Sequence, residues 1–185
     1  MALNMKKSDD GTSIRIGEVR FSFAKVFTPV KNEETGKEKY SCSIVISKDN
    51  TEALTLVNNA IAAAAKIGAE KYWSGKVPPT LKKPLRDGDN DRPDDEAYEN
   101  SMFLNASNPH KPGVQVLEDG IRFDANEEDF YSGCYGAAVL SFYPYDKKGN
   151  RGVAVSLGNL IKLRDGERLS GGGESADSSF SDLDL

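Results

Sequence analysis

Alternating apolar and polar side chains in the first fifty residues predict two antiparallel strands. In residues 14–27 valine and phenylalanine alternate with arginine and serine, and in residues 40–47 apolar side chains alternate with serines. A period of two places one set of side chains on the covered face of a sheet and the other set in solvent. The second strand is therefore expected to be buried on one face only. The charged segment 31–37 joins the two strands as a hairpin loop.

The period changes to helical between Thr51 and about Trp73. Apolar residues recur there every three or four positions and form one stripe of Leu54, Val57, Ile61, Ala64 or Ala65, and Tyr72. Asp49 and Glu52 have the spacing of a capping box at the start of the helix, and Gly75 lies just past its end. We expect a single helix that packs its stripe across a sheet.

The rest of the pattern predicts a long loop and then further strands. Residues 76–100 contain four prolines and a charge-rich stretch, which is typical of a functional or disordered loop. Strand patterns resume at 102–106, 113–117 and 121–123, and a strong hairpin follows with strands at 135–145 and 152–163. Five or so antiparallel strands with one main helix predict a mainly β fold. An OB-fold-like five-stranded antiparallel barrel is the first choice, and an open sandwich is the second.

Composition divides the chain into a domain and a tail. Residues 1–169 have the length of one domain with a sizeable core, whereas residues 170–185 consist mostly of glycine, small polar residues and acids. The formal net charge of the chain is −5, and the four acids of the tail leave −1 on the domain. We expect a disordered acidic tail that solvates the protein, recruits a partner or competes with a polyanion for a basic groove. The apolar residues of the tail favour a partner, because solubility alone needs none.

Targeting signals and cysteines indicate a cytoplasmic protein. The N-terminal residues lack the apolar stretch of a secretory signal, and no apolar run is long enough to cross a membrane. Cys42 and Cys134 are far apart in strand-like stretches, where buried free thiols are expected.

The reactive side chains argue against an enzyme. One histidine in a loop cannot supply a nucleophile–base arrangement or a zinc site. Asp87, Asp89 and Asp91 have the spacing that opens a calcium loop, but Arg92 and Tyr98 stand where that loop needs a glycine and a closing glutamate. We therefore expect no catalytic residues, no metal site and no cofactor.

Basic and aromatic residues alternate in several segments, which is the pattern that non-specific binding to single strands requires. Cations follow the phosphates while aromatic rings stack on bases. The candidate cations are Lys39, Lys82, Lys83, Arg86, Lys147, Lys148 and Arg151, and the candidate stacking residues are Tyr72, Trp73, Tyr131, Tyr143 and Tyr145. Aromatic residues at strand spacing more often belong to the core. Core positions are expected for Phe21, Phe23, Phe103 and Phe142.

Five stretches between about Val19 and Gly166 stand out by their order and spacing: VRFSFAKVFTPV, KYSCSIVISK, PLRDGD, MFLNAS and YSGCYGAAVLSFYPYDKKGNRGVAVSLGNLIKLRDGE. Together they resemble a family of bacteriophage single-stranded-DNA-binding proteins that was long catalogued as a domain of unknown function. The resemblance implies an OB-fold that coats single-stranded DNA during phage replication, recombination or repair, with slight sequence preference.

The resemblance also implies a role for the tail. In similar replication proteins an acidic C-terminus docks on partner replication enzymes and occupies the DNA groove when DNA is absent. The residues that would play this part here are Asp177, Phe180, Asp182, Leu183, Asp184 and Leu185. Two other functions remain as alternatives, a phage structural or adaptor protein and a metal-dependent nuclease that uses the acids of residues 87–95. Both a monomer and a dimer remain open.

Overall fold

The computed structural model describes residues 2–169, so the expectations for the tail at 170–185 lie outside the described residues. The elements of this range are β1 (Met5–Lys6), β2 (Ser13–Lys31), β3 (Glu38–Ser47), α1 (Thr51–Lys71), β4 (Arg86–Asp87), α2 (Gly88–Asp91), a 3-10 helix (Glu96–Tyr98), β5 (Ser101–Asn108), β6 (Val114–Glu118), β7 (Ile121–Asp124), β8 (Tyr135–Lys147) and β9 (Asn150–Arg164). All the strands and the main helix that the sequence pattern predicts are present.

Five of the strands close into a barrel in the order β2, β3, β5, β9, β8 and back to β2. Neighbouring strands are antiparallel except β5 and β9, which meet in parallel at Ser107 and Ser156. Asn108 reinforces this closure, because its Nδ2 donates to Ser156 Oγ at 3.2 Å and to the Leu157 carbonyl at 3.0 Å. The predicted OB-fold-like barrel is confirmed, with one parallel contact in an otherwise antiparallel ring.

The apolar positions of the strands fill the barrel interior. Phe21 and Phe142 lie in this core and Phe103 lies in a smaller cluster, so the predicted burial of these three residues is confirmed. The same prediction was wrong for Phe23, whose side chain is 41% exposed. An extra residue in β2 between Ser22 and Lys25 interrupts the alternation and turns Phe23 outward.

Helix α1 packs against β8 through small side chains, mostly alanines. Gly68 is required at this contact, because a Cβ there would lie 2.6 Å from Pro144 Cβ and 2.6 Å from the Trp73 ring. Trp73 is only 4% exposed and belongs to the core. Just past the end of α1, Trp73 is therefore buried between the helix and Pro144 of β8.

The start of α1 differs from the predicted capping box by one residue. The N-cap is Asn50, whose Oδ1 accepts from the Ala53 N–H at 3.2 Å. The Asn50 Nδ2 also donates to the carbonyls of Gly17 and Glu18, at 3.2 and 3.4 Å. These bonds fix the helix start to β2, which a capping box formed by Asp49 would not do.

Strand β3 is buried on both faces, so the prediction of a half-buried strand was wrong. Its outward-facing Val45 packs in a second cluster with Tyr98 and Phe103. The Tyr98 hydroxyl donates to Ser43 Oγ at 3.0 Å, which satisfies two buried polar groups. The segment expected to be an irregular loop therefore contains β4, α2 and the 3-10 helix, and it covers the part of the outer face of β3 and β5 around Val45 and Phe103.

Strands β6 and β7 lie outside the barrel and extend the sheet beyond β9, which β6 joins in parallel. Both cysteines are free and buried, as expected, and burial raises the pKa of each thiol. Within residues 2–169, no helix combines the length and the hydropathy that a membrane span requires.

Candidate nucleic-acid interface

The hairpin formed by β8 and β9 presents two tyrosines on the outer face of the barrel. Because Phe142 is buried in the core, its neighbour Tyr143 points outward and is 47% exposed. Tyr145 follows on the same face, and its ring lies across Gly152 on β9. A Cβ on residue 152 would lie 2.5 Å from the Tyr145 hydroxyl oxygen, so glycine is required for this arrangement.

The basic segment of the long loop joins this hairpin. The Lys82 N–H donates to the Arg151 carbonyl at 3.0 Å, and the Val153 N–H donates to the Lys82 carbonyl at 2.9 Å. Four residues later Arg86 pairs with Phe103 on β5. The chain from Lys82 to Arg86 thus crosses from β9 to β5, which brings its cations to the same side as those of the hairpin.

Four lysines near the hairpin keep their charges free of ion pairs. In the part of the chain that the structure describes, Lys82, Lys83, Lys147 and Lys148 have no carboxylate within 4.0 Å. Arg86 and Arg151 differ, because Arg86 Nε lies 2.9 Å from Asp91 and Arg151 Nε lies 3.3 Å from Asp146. The lysines therefore present the positive potential that a phosphate chain requires, and the two arginines are partly neutralised.

Next to Tyr143, a row of serines runs around the outer face across all five barrel strands. Register places them side by side: Ser41, Ser107, Ser156, Ser141 and Ser13. Each is partly exposed, and the Ser13 and Ser141 hydroxyls share a hydrogen bond of 2.7 Å. Their small size leaves a shallow polar surface beside the tyrosine. Reasoning from the sequence missed this row, because it exists only in the pairing register.

Two of the predicted stacking residues do not offer a free ring. Trp73 is buried in the core, so its assignment to the interface was wrong; the helix end and Pro144 enclose it. Tyr131 is half-buried and its ring is covered by cations, with Arg168 Cζ at 4.1 Å and Lys162 Nζ at 5.1 Å from the ring centroid. Burial is the main cause that raises the pKa of the Tyr131 hydroxyl, and its hydrogen bond to Asp165 adds to it.

The two remaining candidates lie apart from the hairpin face, by which we mean the outer face of β8 and β9 around Tyr143 and Tyr145. Tyr72 is 51% exposed at the C-cap of α1. This helix contacts β8 at Pro144, whose side chain alternates with those of Tyr143 and Tyr145 and so lies on the other face of the strand. Lys39 is exposed and pairs with Val30 near the turn between β2 and β3. In the ring of strands, β3 is separated from β8 by β2 on one side and by β5 and β9 on the other. The structure therefore groups Lys82, Lys83, Tyr143, Tyr145, Lys147, Lys148 and Arg151, with Arg86 at the edge of the group.

Three of the acids that the sequence offered for a nuclease, Asp87, Asp89 and Asp91, are engaged with cations. Lys48 Nζ lies 3.0 Å from Asp87 and 2.7 Å from Asp89, and Arg86 pairs with Asp91. The hydrogen bond from Lys48 is the largest cause that lowers the pKa of Asp89. These contacts connect the segment after β4 to the end of β3.

A closed OB-type barrel with exposed aromatic and basic side chains on its outer face defines a protein of the oligonucleotide-binding class. The chain belongs to the family described as Enterobacter phage Enc34, ssDNA-binding protein, whose model matches residues 12–185. It is also similar to the p50 protein of Acyrthosiphon pisum secondary endosymbiont phage 1, with 31% identity over 93% of this chain and 94% of that protein.

Solved structures show the same fold at lower identity. The single-stranded DNA-binding protein from bacteriophage Enc34 in complex with ssDNA has a TM-score of 0.75 and 22% identity, over 91% of this chain and 98% of that chain. Its C-terminal truncation has a TM-score of 0.73 and 22% identity, over 90% and 97% of the two chains. For gp2.5, a single-stranded DNA binding protein encoded by bacteriophage T7, the TM-score is 0.56 and the identity 12%, over 93% and 94%.

Proposed function

We propose that this protein binds single-stranded DNA with little sequence preference and coats it during phage DNA replication, recombination or repair. The observation that carries the proposal is the exposed ring of Tyr143 beside lysines that form no ion pair within residues 2–169, on the outer face of an OB-type barrel. Membership of a family named for single-stranded DNA binding supports the choice of ligand.

Each group on the hairpin face has a defined task in this proposal. Lys82, Lys83, Lys147 and Lys148 attract phosphates, and the ring of Tyr143 stacks on a base. A stacked base is worth about 1–3 kcal/mol and every base has a π-face, so such a contact is tolerant of sequence. The serine row offers hydroxyls to phosphate or sugar without blocking access to the ring.

The test is fluorescence anisotropy of a labelled oligothymidylate at low and moderate salt, with unlabelled duplex as competitor. We expect tight binding that salt weakens and that duplex fails to compete, because stacking on Tyr143 needs unpaired bases. Absence of binding at low salt, or equal competition by duplex, would contradict the proposal. An adaptor protein would show no dependence of DNA affinity on salt, because counterion release requires contacts with phosphates.

The proposed function includes no catalysis. The carboxylates of Asp87 and Asp89 are bonded to Lys48 and that of Asp91 to Arg86, which opposes their use as ligands for a metal-dependent nuclease. Incubation of the bound oligothymidylate with Mg²⁺ should leave its length unchanged on a denaturing gel. Shortened product that disappears in an Asp87→Asn, Asp89→Asn double variant would restore the nuclease alternative.

For residues 170–185 we propose contact with replication or recombination proteins in the cytoplasm of the host cell, together with competition for the DNA face. The sequence supports this, because four acids and several apolar residues follow a glycine run. Removal of residues 170–185 should tighten DNA binding at low salt and weaken any partner contact. Unchanged affinity on truncation would remove the competition and leave DNA binding intact.

A further inference from the structure

Phe23 is a large aromatic residue that the barrel turns away from its core. Between the pairs Ser22–Ser43 and Lys25–Ser41, β2 has two residues where β3 has one, which is a β-bulge. The Ala24 N–H leaves the ladder and donates to Ser132 Oγ at 3.0 Å. Bulges commonly re-aim a side chain, and this one leaves Phe23 41% exposed.

The backbone of Phe23 is strained, with φ at +47°. A bulky residue in the left-handed region is an outlier, because its Cβ crowds the carbonyl oxygen, and glycine or asparagine takes such a position more easily. Strain of this kind persists at ligand-contacting positions, where the surrounding structure maintains it. An exposed side chain offers no core packing to offset the strain at Phe23.

Arg92 fixes one face of the Phe23 ring. Its Cζ lies 4.8 Å from the Phe23 centroid, 5.0 Å from that of Tyr98 and 5.9 Å from that of Phe103. Tyr98 and Phe103 are buried, so the guanidinium is wedged between a rigid cluster and the exposed ring. Within residues 2–169, no carboxylate lies within 4.0 Å of Arg92, which leaves its charge available.

The position of this pair complements the hairpin face. On the ring of strands, β2 lies on one side of the β3–β5 pair, and β9 with β8 lies on the other. OB-folds bind oligonucleotides across their second and third strands and the flanking loops. A strand that crosses β5 and β3 from Tyr143 would therefore meet Phe23 and the exposed Lys25 at the far side.

We propose that Phe23 and Arg92 form a second subsite for single-stranded nucleic acid, which stacks a base on the ring and contacts the adjoining phosphate through the guanidinium. The inference rests on the proposed function and adds a place for a base remote from Tyr143. The Arg92 cation on one face of the ring leaves the opposite face for the base.

The chain offers a matched control. Phe123 on β7 is 40% exposed, close to the 41% of Phe23. It lies on the hairpin of β6 and β7, which is outside the barrel. Phe23→Trp and Phe123→Trp each place a fluorescent ring at an exposed site, and the native Trp73 is buried in both proteins. Titration with unlabelled oligothymidylate should quench the tryptophan introduced by Phe23→Trp and leave that of Phe123→Trp unchanged.

Affinity provides the second readout, measured by anisotropy on full-length variants. Phe23→Leu keeps apolar volume without a π-face and should weaken binding about 5- to 150-fold, the loss of one stacked base. Phe23→Asn suits the left-handed backbone, so it should weaken binding similarly while the thermal midpoint is maintained or raised. Phe123→Leu should bind as wild type.

Failure of this subsite differs from failure of the proposed function. If wild type binds but the Phe23→Trp signal is quenched no more than that of Phe123→Trp, the second subsite is overturned. Wild-type affinity in Phe23→Leu overturns it as well, and a lower midpoint in Phe23→Asn with unchanged affinity makes Phe23 a packing residue. If wild type does not bind single-stranded DNA at all, the result contradicts the proposed function, and the subsite that depends on it is contradicted as well.

Discussion

Tyrosines and basic side chains occur at both ends of the β8–β9 pair, and the two ends use them differently. At one end Tyr131 and Tyr135 are covered by the protein's own cations. Arg164 Cζ lies 3.8 Å from the Tyr135 centroid, and Arg168 Cζ lies 4.1 Å from that of Tyr131. We call this end, with residues 131–135 and 162–168, the closed cluster. At the other end, which we call the open end, Tyr143 is 47% exposed, and the lysines around it have no ion pairs in the described range.

The closed cluster attaches the end of the described chain to the barrel. The Tyr131 hydroxyl donates to Asp165 Oδ1 at 2.7 Å, Arg20 Nη2 donates to the Glu167 carbonyl at 2.9 Å, and the Leu169 N–H donates to the Ser132 carbonyl at 3.0 Å. Arg164 pairs with Glu18 as well. Similar residue types thus stabilise the fold at one end of β8 and β9 and remain available to a ligand at the other.

The largest expected effect is a loss of stability when the closed cluster is mutated. Tyr131→Ala removes a half-buried ring and its hydroxyl contacts, so it should lower the free energy of unfolding by about 2–3 kcal/mol, less than for a fully buried aromatic. Urea denaturation measures this, with Tyr131→Phe as the matched control at about 1 kcal/mol for the lost hydroxyl. DNA affinity should stay at the wild-type value in Tyr131→Phe. A large loss of affinity with unchanged stability would show that the closed cluster is part of the interface.

The open end should show the reverse behaviour. Tyr143→Ala is expected to weaken binding of oligothymidylate by about 1–3 kcal/mol, the worth of one stacked base. Because the ring is exposed, the free energy of unfolding should change by no more than about 0.5 kcal/mol. Anisotropy and urea denaturation on the same preparation measure both quantities. Loss of stability without loss of affinity would assign Tyr143 to packing.

The fold could be predicted from the sequence because it depends on local periodicity. The alternation in β2, β3, β8 and β9 and the helical stripe of α1 are present in the folded protein, and β8 and β9 pair as the predicted hairpin. The errors lie where tertiary contacts override the pattern. Val45 is covered by a cluster from the long loop, and Phe23 is turned out by a bulge that no glycine or proline announces.

The candidate site could be predicted only in part. Lysines 82, 83, 147 and 148 are recognised by composition, and the pairing of Lys82 with β9 brings them together. Sequence cannot tell Trp73 from Tyr143, because the burial of one and the exposure of the other depend on what packs above each ring. The serine row and the contact between Phe23 and Arg92 join residues far apart in the chain, so no local signal exists for either.

The salt dependence of DNA affinity tests the charges of the open end, with a smaller expected effect. Each phosphate contact contributes about 0.7 to the slope of log affinity against log salt for single strands. Lys147→Ala should therefore lower the slope by about 0.7, which is about fivefold in affinity between 1 M and 0.1 M salt. The control is Lys66→Ala, an exposed lysine on α1 that does not belong to the group of cations at the hairpin. Equal slopes for wild type and Lys147→Ala would remove this residue from the DNA contacts.

The smallest expected effect is the pH response of the closed cluster. Hydrogen bonds from Lys162 and then from Tyr131 hold the pKa of Asp165 below its ordinary value of 3.8. A carboxylate whose pKa is lowered by folding stabilises the protein above its unfolded pKa, and this contribution is lost as pH falls through the folded pKa. Because the Asp165 side chain is 77% exposed, solvent screening limits the effect to about 0.2–1 kcal/mol.

Asp165→Asn should therefore be less stable than wild type at pH 7, and the difference should shrink as pH falls below about 4, the pKa of an unperturbed aspartate. Urea denaturation at both pH values measures it, with Asp94→Asn as the control for an exposed carboxylate outside the ion pairs of residues 2–169. A difference that persists unchanged at pH 3 would mean that Asp165 stabilises the cluster by geometry rather than by charge. The two ends would then differ only in whether cations cover the tyrosine rings. The charge of the Asp165 carboxylate would not be needed to hold the cations of the closed cluster against Tyr131.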